Sequence, residues 1–355
     1  MANYKPDIEN KLNNEKEALL RNVPEFLYIY VEEVLTSRSN ELRSHIANAK
    51  DIINFLKYYS TQVIHKELSE ITLLDINNTT LRNMNNYFKY ITEYKITYKS
   101  TLGKDINRTR TNSTSSKSRK LASIKNFYKY LEDNKLITNN PTKSMEIVKP
   151  EITKLSNKLD PLSIVEIEKE ILKGDNISTD KEKKAYDRLK LRDLTIFLIV
   201  SFTGIRVSEL VSLDISDVNV NECTVKVVRK NNKIQEIPYP EEVSKYIEEY
   251  LVYRDKLNPK VNELYKKALF LSQQSKRITD QSVRIMLKKY CDRLHIDNIA
   301  CHTFRRTFIS TLYNRTGDIK LAARIGGHSV ATASKYYADV DEDRYRNVVR
   351  SFKYK

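Results

Sequence analysis

The chain has few cysteines and no long run of apolar residues. Cys223, Cys291 and Cys301 are odd in number and follow no metal-ligand spacing, so we expect reduced thiols in an intracellular protein. No stretch approaches the roughly 20 apolar residues of a membrane span, and the N-terminus lacks the apolar run of a signal peptide. No carboxylate cluster suited to Mg²⁺ is evident either. These absences argue against a secreted, membrane-embedded or magnesium-dependent protein.

Positive charge is abundant. Lysine and arginine number 62 against 46 aspartate and glutamate residues, which gives a formal net charge of +16. With 355 residues, 40% of them hydrophobic, the chain can form two or three folded domains. A basic surplus on a folded chain favours a polyanionic partner, most often nucleic acid, over the alternative of a merely basic surface.

The first part of the chain has helical periodicity. Apolar residues recur three and four apart in residues 26–34, 46–59, 81–91 and 124–131. No alternating pattern is evident between them, so the sequence predicts a small all-α bundle. Three prolines then punctuate residues 141–161, which is typical of a linker. We expect a helical domain at 1–145, a linker at 146–160 and a second domain at 161–355.

The second domain mixes helices with a short hairpin. An apolar helix over 191–202 ends at Gly204, and another begins near Arg206. Residues 224–228 and 234–237 alternate and flank a lysine-bearing, asparagine-containing turn, which predicts an antiparallel β-hairpin. Helices resume to the end of the chain. The predicted fold class is mainly α, with an α+β second domain.

Phosphate-handling groups are concentrated near the C-terminus. His302 and Arg305 are three residues apart, so they share one face of a helix. Two glycines precede His328 and suit a turn between helices. Ser329 is a good N-cap for a helix that carries Tyr336 and Tyr337. These are groups that bind phosphate beside a hydroxyl nucleophile.

These motifs occur in a characteristic order. The order runs from Thr203-Gly-Ile-Arg-Val-Ser-Glu-Leu210 through the hairpin lysine, His302-Thr-Phe-Arg305 and Gly327-His328 to Tyr337. In this order and spacing, the C-terminal domain resembles the tyrosine recombinase (phage integrase) family. The resemblance extends more weakly to the N-terminal bundle, which looks like that family's SAM-like helical core-binding domain. The family's fold is a clamp that closes around duplex DNA.

The resemblance assigns roles residue by residue. The matching catalytic positions are Arg206, Lys230, His302, Arg305, His328 and Tyr337, with Glu209 as a supporting acid that orients a neighbouring side chain. Lys233 is the alternative to Lys230. Tyr336 is the alternative nucleophile, although we expect it to be a core aromatic.

This chain departs from the family pattern at three positions. Arg229-Lys230-Asn231 stands where glycine-lysine-glycine is usual, Cys301 where proline is common, and Arg306 where a second histidine often stands. The alternative reading of Arg206 is a surface arginine that pairs with Glu209. The first departure is the reason for keeping Lys233 as the alternative to Lys230, whereas the other two do not touch the phosphate-facing set.

The chemistry explains why these residue types are needed. Tyrosine has a pKa near 10 and needs help in losing its proton. Two guanidiniums can bind the non-bridging phosphate oxygens, a lysine can protonate the departing 5′ oxygen, and histidines can move a proton. The resemblance implies a 3′-phosphotyrosine intermediate that a second DNA end reverses, so no cofactor and no metal are expected.

Residues 103–120 are basic and hydroxyl-rich, and they lead into a helix that starts near Thr114 to Ser118. A helix N-terminus offers amide donors to phosphate, so we expect DNA-backbone contact here rather than a solvated loop. A polar segment at 273–279 is similar to the family's segment that approaches DNA. The predicted DNA-binding residues are Arg108, Arg110, Ser115, Lys117, Arg119, Lys120, Lys276 and Arg277.

Together these features predict a site-specific recombinase, most like the Xer group of single-protein type. The family implies a homotetramer on two inverted-repeat DNA sites, with contacts through the C-terminal helix and exchange through a Holliday junction. We expect a cytoplasmic, nucleoid-associated protein with no membrane partner, and leave an accessory translocase or directionality factor open. Chromosome dimer resolution and mobile-element integration or inversion are both open. The alternatives are type IB topoisomerase-like relaxation and a non-catalytic DNA-binding protein.

Overall fold

The computed structural model describes residues 6–35, 42–99, 105–146, 159–177, 179–229, 233–257, 261–297, 299–337 and 350. The chain divides into two compact units, Met1–Ile152 and Thr153–Lys355, each with its own apolar core. Within the described ranges, no helix combines the length and apolar character needed to cross a bilayer.

The first unit is mainly helical. Its helices are α1 (Pro6–Leu20), α2 (Glu25–Ile29), α3 (Leu42–Tyr59), α4 (Leu73–Asn77), α5 (Leu81–Tyr90) and α6 (Thr114–Asp133). π-helical turns continue α2 over Tyr30–Leu35 and α3 over Ser60–Ile64. Thr72, Thr80 and Ser113 cap α4, α5 and α6 through their hydroxyl oxygens, which accept bonds from backbone N–H groups. Their apolar faces meet in a core that includes Leu56 and Phe127.

A hairpin interrupts these helices, so the all-α prediction for the first unit is wrong between α5 and α6. Strand β1 (Glu93–Lys99) pairs antiparallel with β2 (Asp105–Thr111). Asn112 closes the base of the hairpin, because its side-chain amide donates to the Ile91 carbonyl at 2.7 Å. The residues of β2 are exposed along the whole strand, so the alternation that marks a half-buried strand is absent from its sequence.

The second unit confirms the predicted mixture of helices and a small antiparallel sheet. Its strands β3 (Val218–Asn219), β4 (Thr224–Val228) and β5 (Ile234–Pro238) lie in the order β3-β4-β5. Its helices are α7 (Pro161–Lys173), α8 (Asp180–Thr203), α9 (Val207–Ser212), α10 (Glu241–Leu257), α11 (Asp280–Arg293), α12 (Cys301–Thr316), α13 (Ile319–Gly326) and α14 (Val330–Tyr337).

Helix α8 is the centre of the second unit. Its residues 192–201 are all buried, and Phe197 packs edge-on against Phe304 of α12. Gly204 ends α8 with φ +60°, a conformation that favours glycine, and a Cβ there would lie 2.9 Å from the Phe308 ring. This close turn places the start of α9 beside α12, which positions the candidate site.

Candidate active site

Arg206 is the first residue of the site in chain order. It is the N-cap of α9, directly after the turn that ends α8. Its Nη1 donates to Glu209 Oε1 at 2.8 Å, and its Nη2 donates to the Gly327 carbonyl at 3.3 Å. The ion pair with Glu209, which would also be expected if Arg206 were only a surface arginine, is therefore present. Among the described residues these bonds use two of the five guanidinium N–H groups, so donors remain for an anion.

Glu209 is buried and joins two arginines. Its Oε2 accepts bonds from the Arg206 backbone N–H and from Arg229 Nη1, both at 2.7 Å. Burial by itself would raise the pKa of Glu209, but the charge of Arg229, then the backbone bond and charge of Arg206, lower it overall. The carboxylate is therefore ionised at neutral pH and holds both guanidiniums in place.

Arg305 projects from the second turn of α12 into the protein, where it is 4% exposed. Its guanidinium donates to the backbone carbonyls of Gly204 and Gly326, and its Nη2 lies 3.4 Å from His328 Nε2. Burial and the positive charge of Arg206 lower the pKa of Arg305 to about 10, which still leaves it charged at neutral pH. The two carbonyls fix its position between the end of α8 and the end of α13.

His328 follows the turn that ends α13. Gly327 has φ +52° at the C-terminus of that helix, and the Ser329 hydroxyl caps α14 by accepting a bond from the Thr332 N–H. The predicted glycine turn and serine cap are therefore present. Burial, then the charges of Arg305 and Arg206, lower the pKa of His328 to about 4. The ring is neutral at pH 7 and can accept a proton.

Tyr337 and Tyr336 have opposite environments. Tyr337 is 6% exposed, and the centroid of its ring lies 6.3 Å from that of His328. Tyr336 is 40% exposed, so the expectation that it is a core aromatic is wrong. Successive residues of a helix point about 100° apart, so only one of the two can face the cluster. That residue is Tyr337.

The hydroxyl of Tyr337 is protonated at neutral pH. Burial raises its pKa above the ordinary value, while the charges of Arg305, Arg306 and Arg206 act in the opposite direction. These arginines therefore stabilise the phenolate, which is the form of Tyr337 that can attack phosphorus.

His302 lies one turn before Arg305 on α12, and its side chain is exposed. The protein around His302 excludes part of its hydration water, which lowers its pKa, and the charges of Arg284, Arg305 and Arg306 lower it further. The ring is therefore neutral at pH 7. Lys230 lies outside the described residues. Lys233 is described and exposed, and its backbone carbonyl accepts a bond from the Arg229 N–H at 2.8 Å.

The cluster has an excess of positive charge. The guanidiniums of Arg206 and Arg229 pair with the Glu209 carboxylate, and the guanidinium of Arg305 lies within range of its charge. Such a group stabilises a bound anion and the additional negative charge of a transition state. Within the described ranges, no group of three or more His, Cys, Asp and Glu side chains could hold a metal ion. The chemistry suited to these residues is nucleophilic attack on a phosphodiester.

Arg229 is the site residue that sequence reasoning missed. Its guanidinium is buried in the cluster, although the residue before it in the sequence, Val228, is exposed. The available signal was the large charged side chain at a position where glycine is usual. Charge alone does not reveal burial, so the pairing with Glu209 could not be foreseen.

The predicted DNA-binding residues of the first unit fall into two groups. Arg108 and Arg110 are exposed on β2, and Ser115 is exposed in the first turn of α6. Lys117 is partly buried and donates to the Thr92 hydroxyl at 3.3 Å. Arg119 and Lys120 both pair with the buried Asp51. The last two residues therefore have a role inside the unit, although the Arg119 side chain is half exposed.

The two predicted DNA-binding residues of the second unit also differ. Lys276 is exposed in the segment before α11. Arg277 is buried and donates to Asp214 Oδ1 at 2.7 Å and to the Leu213 carbonyl at 3.0 Å. The expectation of DNA contact is therefore wrong for Arg277, because its charge is used to join the start of α11 to the loop after α9.

Comparison with known proteins identifies relatives of this chain. The model of the phage integrase family matches residues 172–344. A tyrosine recombinase XerC of Herpetosiphon aurantiacus is 30% identical over 232 residues, which cover 65% of this chain and 71% of that protein. A tyrosine recombinase of Agathobacter rectalis is 34% identical over 235 residues, which cover 65% of this chain and 74% of that protein.

Solved structures share the fold. The structure of the Tn1549 transposon integrase in complex with a circular intermediate DNA matches with a TM-score of 0.63 and 17% identity. The match covers 92% of this chain and 99% of that one. At this identity the match supports a common fold.

Proposed function

Since this chain belongs to the phage integrase family of tyrosine recombinases, we propose that Tyr337 cleaves and rejoins DNA strands at a specific site. One observation carries the assignment of the nucleophile. Of the two adjacent tyrosines, Tyr337 is buried beside His328 and within the field of Arg305 and Arg206, whereas Tyr336 faces solvent.

The chemical step is a transfer of the phosphoryl group. The phenolic oxygen of Tyr337 forms a bond to phosphorus, and the bond from phosphorus to the 5′ oxygen breaks. The phenolic proton passes to a neutral histidine or to water, and the 5′ oxygen takes a proton from Lys230, with Lys233 as the alternative donor. The product is a 3′-phosphotyrosine, which a 5′ hydroxyl of a second DNA end reverses.

The other residues stabilise the phosphate. We assign Arg206 and Arg305 to the two non-bridging oxygens, which gain charge as the five-coordinate state forms. Glu209 holds Arg206 in place. His328 is neutral at pH 7 and lies beside Tyr337, which suits it to accept the phenolic proton or to donate to the phosphate. His302 is assigned a similar role from its place beside Arg305 on α12.

DNA binding is assigned to both parts of the chain. Residues 1–145 would form the DNA-binding core domain, 146–160 the linker and 161–355 the catalytic domain. The exposed residues Arg108, Arg110 and Ser115 support backbone contact by the first of these, as Lys276 does for the last. The favoured partner is duplex DNA with an inverted-repeat site.

Assembly and biological role follow from the family. We propose a homotetramer on two DNA sites with contacts through the C-terminal helix, most of which lies outside the described residues. Resolution of chromosome dimers, which the resemblance to the Xer group implies, and movement of a mobile element are both part of this proposal. The same proposal includes an accessory translocase or directionality factor. It also includes a cytoplasmic location of the protein, in association with the nucleoid.

A covalent trap tests the function. DNA sites are first selected from a library by binding to the purified chain. A selected site with a nick beside the cleavage position then releases a short fragment after attack, which prevents rejoining. Wild-type protein and Tyr336→Phe should form a covalent complex that survives denaturing electrophoresis, whereas Tyr337→Phe should form none.

The same experiment separates the alternatives. Covalent complex with Tyr337→Phe but not with Tyr336→Phe would overturn the assignment of the nucleophile. Binding without any covalent complex would favour a non-catalytic DNA-binding protein. Relaxation of supercoiled plasmid without a preferred site or strand exchange would favour a type IB topoisomerase-like activity.

A further inference from the structure

Arg229 occupies an unusual position. It is the last described residue before the turn of the β4–β5 hairpin, and it directly precedes Lys230, the assigned proton donor. Hairpin turns that approach a ligand commonly carry small or exposed residues. The side chain of Arg229 is instead 5% exposed, and it points into the protein towards Glu209. It is therefore a buried charge at the base of the turn.

The guanidinium of Arg229 connects three segments. Nη1 donates to Glu209 Oε2 of α9 at 2.7 Å, and Nη2 donates to the carbonyl of Ile325 in α13 at 2.8 Å. Nε donates to Gln235 Oε1 of β5 at 3.1 Å, across the hairpin from its own strand. Charge-assisted bonds from a planar guanidinium fix direction as well as distance.

Neighbouring contacts reinforce this connection. Gln235 Nε2 donates to the Arg324 carbonyl at 3.1 Å, so the hairpin has a second bond to the end of α13. A Cβ on Gly327 would lie 3.3 Å from both Cδ and Nε of Arg229, which shows how closely the turn before His328 packs on this side chain. The backbone bond between Arg229 and Lys233 closes the stem of the hairpin.

These contacts tie the hairpin to the phosphate-binding groups. Glu209 accepts a bond from the Arg206 guanidinium at Oε1 and from the Arg229 guanidinium at Oε2, so the two guanidiniums are placed relative to each other by one carboxylate. Lys230 is the next residue in the sequence, bonded directly to Arg229, and itself lies outside the described residues.

We propose that Arg229 is a positioning residue, which docks the hairpin onto Glu209 and the end of α13 and thereby places Lys230 for protonation of the departing 5′ oxygen. The inference rests on the proposed function. Arg229 does not itself contact DNA, because its guanidinium is enclosed by protein partners. Removal of the Arg229 side chain breaks the link that runs from the hairpin through Glu209 to Arg206. Lys230 is then still present but no longer held in place.

The test compares two leaving groups. One substrate carries the ordinary 5′ oxygen at the cleavage position, and the other carries sulfur in its place. When Tyr337 attacks the sulfur substrate, the bond from phosphorus to sulfur breaks and a thiolate leaves, which is stable without a proton. A general acid contributes about 10²- to 10⁴-fold to a step that needs it, so Lys230→Ala should lose that much on the oxygen substrate and little on the sulfur substrate.

Arg229→Gln should show the same selective defect. Because a displacement of about 1 Å can cost roughly 10²-fold, we expect covalent-complex formation to slow by about 10- to 100-fold on oxygen and by less than about threefold on sulfur. Gln235→Ala, which keeps the pair between Arg229 and Glu209, should give a smaller defect of the same kind. It serves as the second variant if Arg229→Gln folds poorly.

Arg192→Gln is the matched control. Arg192 is buried in the same unit, pairs with Asp193 at 2.7 Å and donates to the Leu271 carbonyl at 2.9 Å. Its loss removes a comparable buried ion pair, so it should lower stability without changing the ratio of the oxygen and sulfur rates.

The outcomes separate the inference from the proposed function. Equal slowing of Arg229→Gln on both substrates, as in the control, would make Arg229 a purely structural residue and overturn the inference. Normal rates of both Arg229→Gln and Gln235→Ala would do the same. If wild-type protein formed no covalent complex on either substrate, the proposed function itself would fail.

Discussion

Replacing Glu209 by alanine removes the carboxylate that both Arg206 and Arg229 bind. Arg229 is 5% exposed and Glu209 is 7% exposed, so the variant leaves a buried guanidinium without its counter-charge. Removing one partner of a buried pair costs about 3–5 kcal/mol. The partly exposed Arg206 adds little, because pairs that solvent reaches contribute about 1 kcal/mol or less.

The expected loss of stability is large for one substitution. The second unit contains the 203 residues of Thr153–Lys355, and for that size 1 kcal/mol shifts the melting temperature by about 2–4 °C. A loss of 3–5 kcal/mol therefore lowers the melting temperature by about 6–20 °C. Urea unfolding followed by far-UV circular dichroism measures the free energy, and calorimetry separates the transition of the second unit from that of the first.

The control is the exposed pair of Lys288 and Asp292, one turn apart on α11 at 2.6 Å. Asp292→Ala should change the free energy of unfolding by less than about 0.5 kcal/mol. Glu209→Leu combined with Arg229→Met should recover part of the loss, since apolar residues of similar volume remove the unpaired charge. If Glu209→Ala cost no more than Asp292→Ala, the argument from burial would be refuted.

Three further predictions concern the turns and the histidine of the site. Gly204→Ala should cost about 2 kcal/mol or more in urea unfolding, because φ is +60° and the new Cβ meets Phe308. Ser329→Ala should cost about 1 kcal/mol through loss of the α14 N-cap, and should slow covalent-complex formation, since that helix carries Tyr337. The pKa of His328, about 4 in the folded protein, lies below its ordinary value of about 6.5. Neutral His328 therefore stabilises the fold above pH 6.5, and the wild type should lose stability relative to His328→Gln as the pH falls from 6.5 to 4.

Each of these has a contrary outcome. An unchanged free energy of unfolding in the Gly204 variant would mean that the turn relaxes without strain. Equal cleavage rates in wild type and Ser329→Ala would show that the N-cap of α14 does not affect the position of the nucleophile. A stability difference between wild type and His328→Gln that stayed constant from pH 6.5 to 4 would show that the histidine does not titrate below its ordinary range.

Local rules predicted much of the site. Gly204 and Gly327 end helices with positive φ, and Ser329 caps the next helix, because these depend on a few neighbouring residues. The family resemblance assigned the nucleophile to Tyr337 rather than to Tyr336, and the burial of Tyr337 is consistent with that assignment. Helical periodicity also located most of the first unit, where apolar stripes face one core.

The hairpin of β1 and β2 was missed for a physical reason. Its second strand has no buried face, and alternation in sequence reports burial on one face. The stability of such a strand comes from backbone pairing with β1, which leaves no mark in the pattern of apolar residues. The composition of this segment indicated a loop, whereas backbone pairing forms a two-stranded hairpin.

By itself the sequence determined the order of the motifs, the helix ends and caps, and the basic charge, because each depends on residue identity or short spacing. Only the tertiary structure decided which charges are available. Arg277 is buried against Asp214, Arg119 pairs with Asp51, and Arg229 pairs with Glu209. These partners lie 20 to 68 residues apart in the chain. Whether an arginine is exposed to solvent or paired with a carboxylate depends on how distant segments of the chain pack. The residues next to it in the sequence do not indicate which of the two occurs.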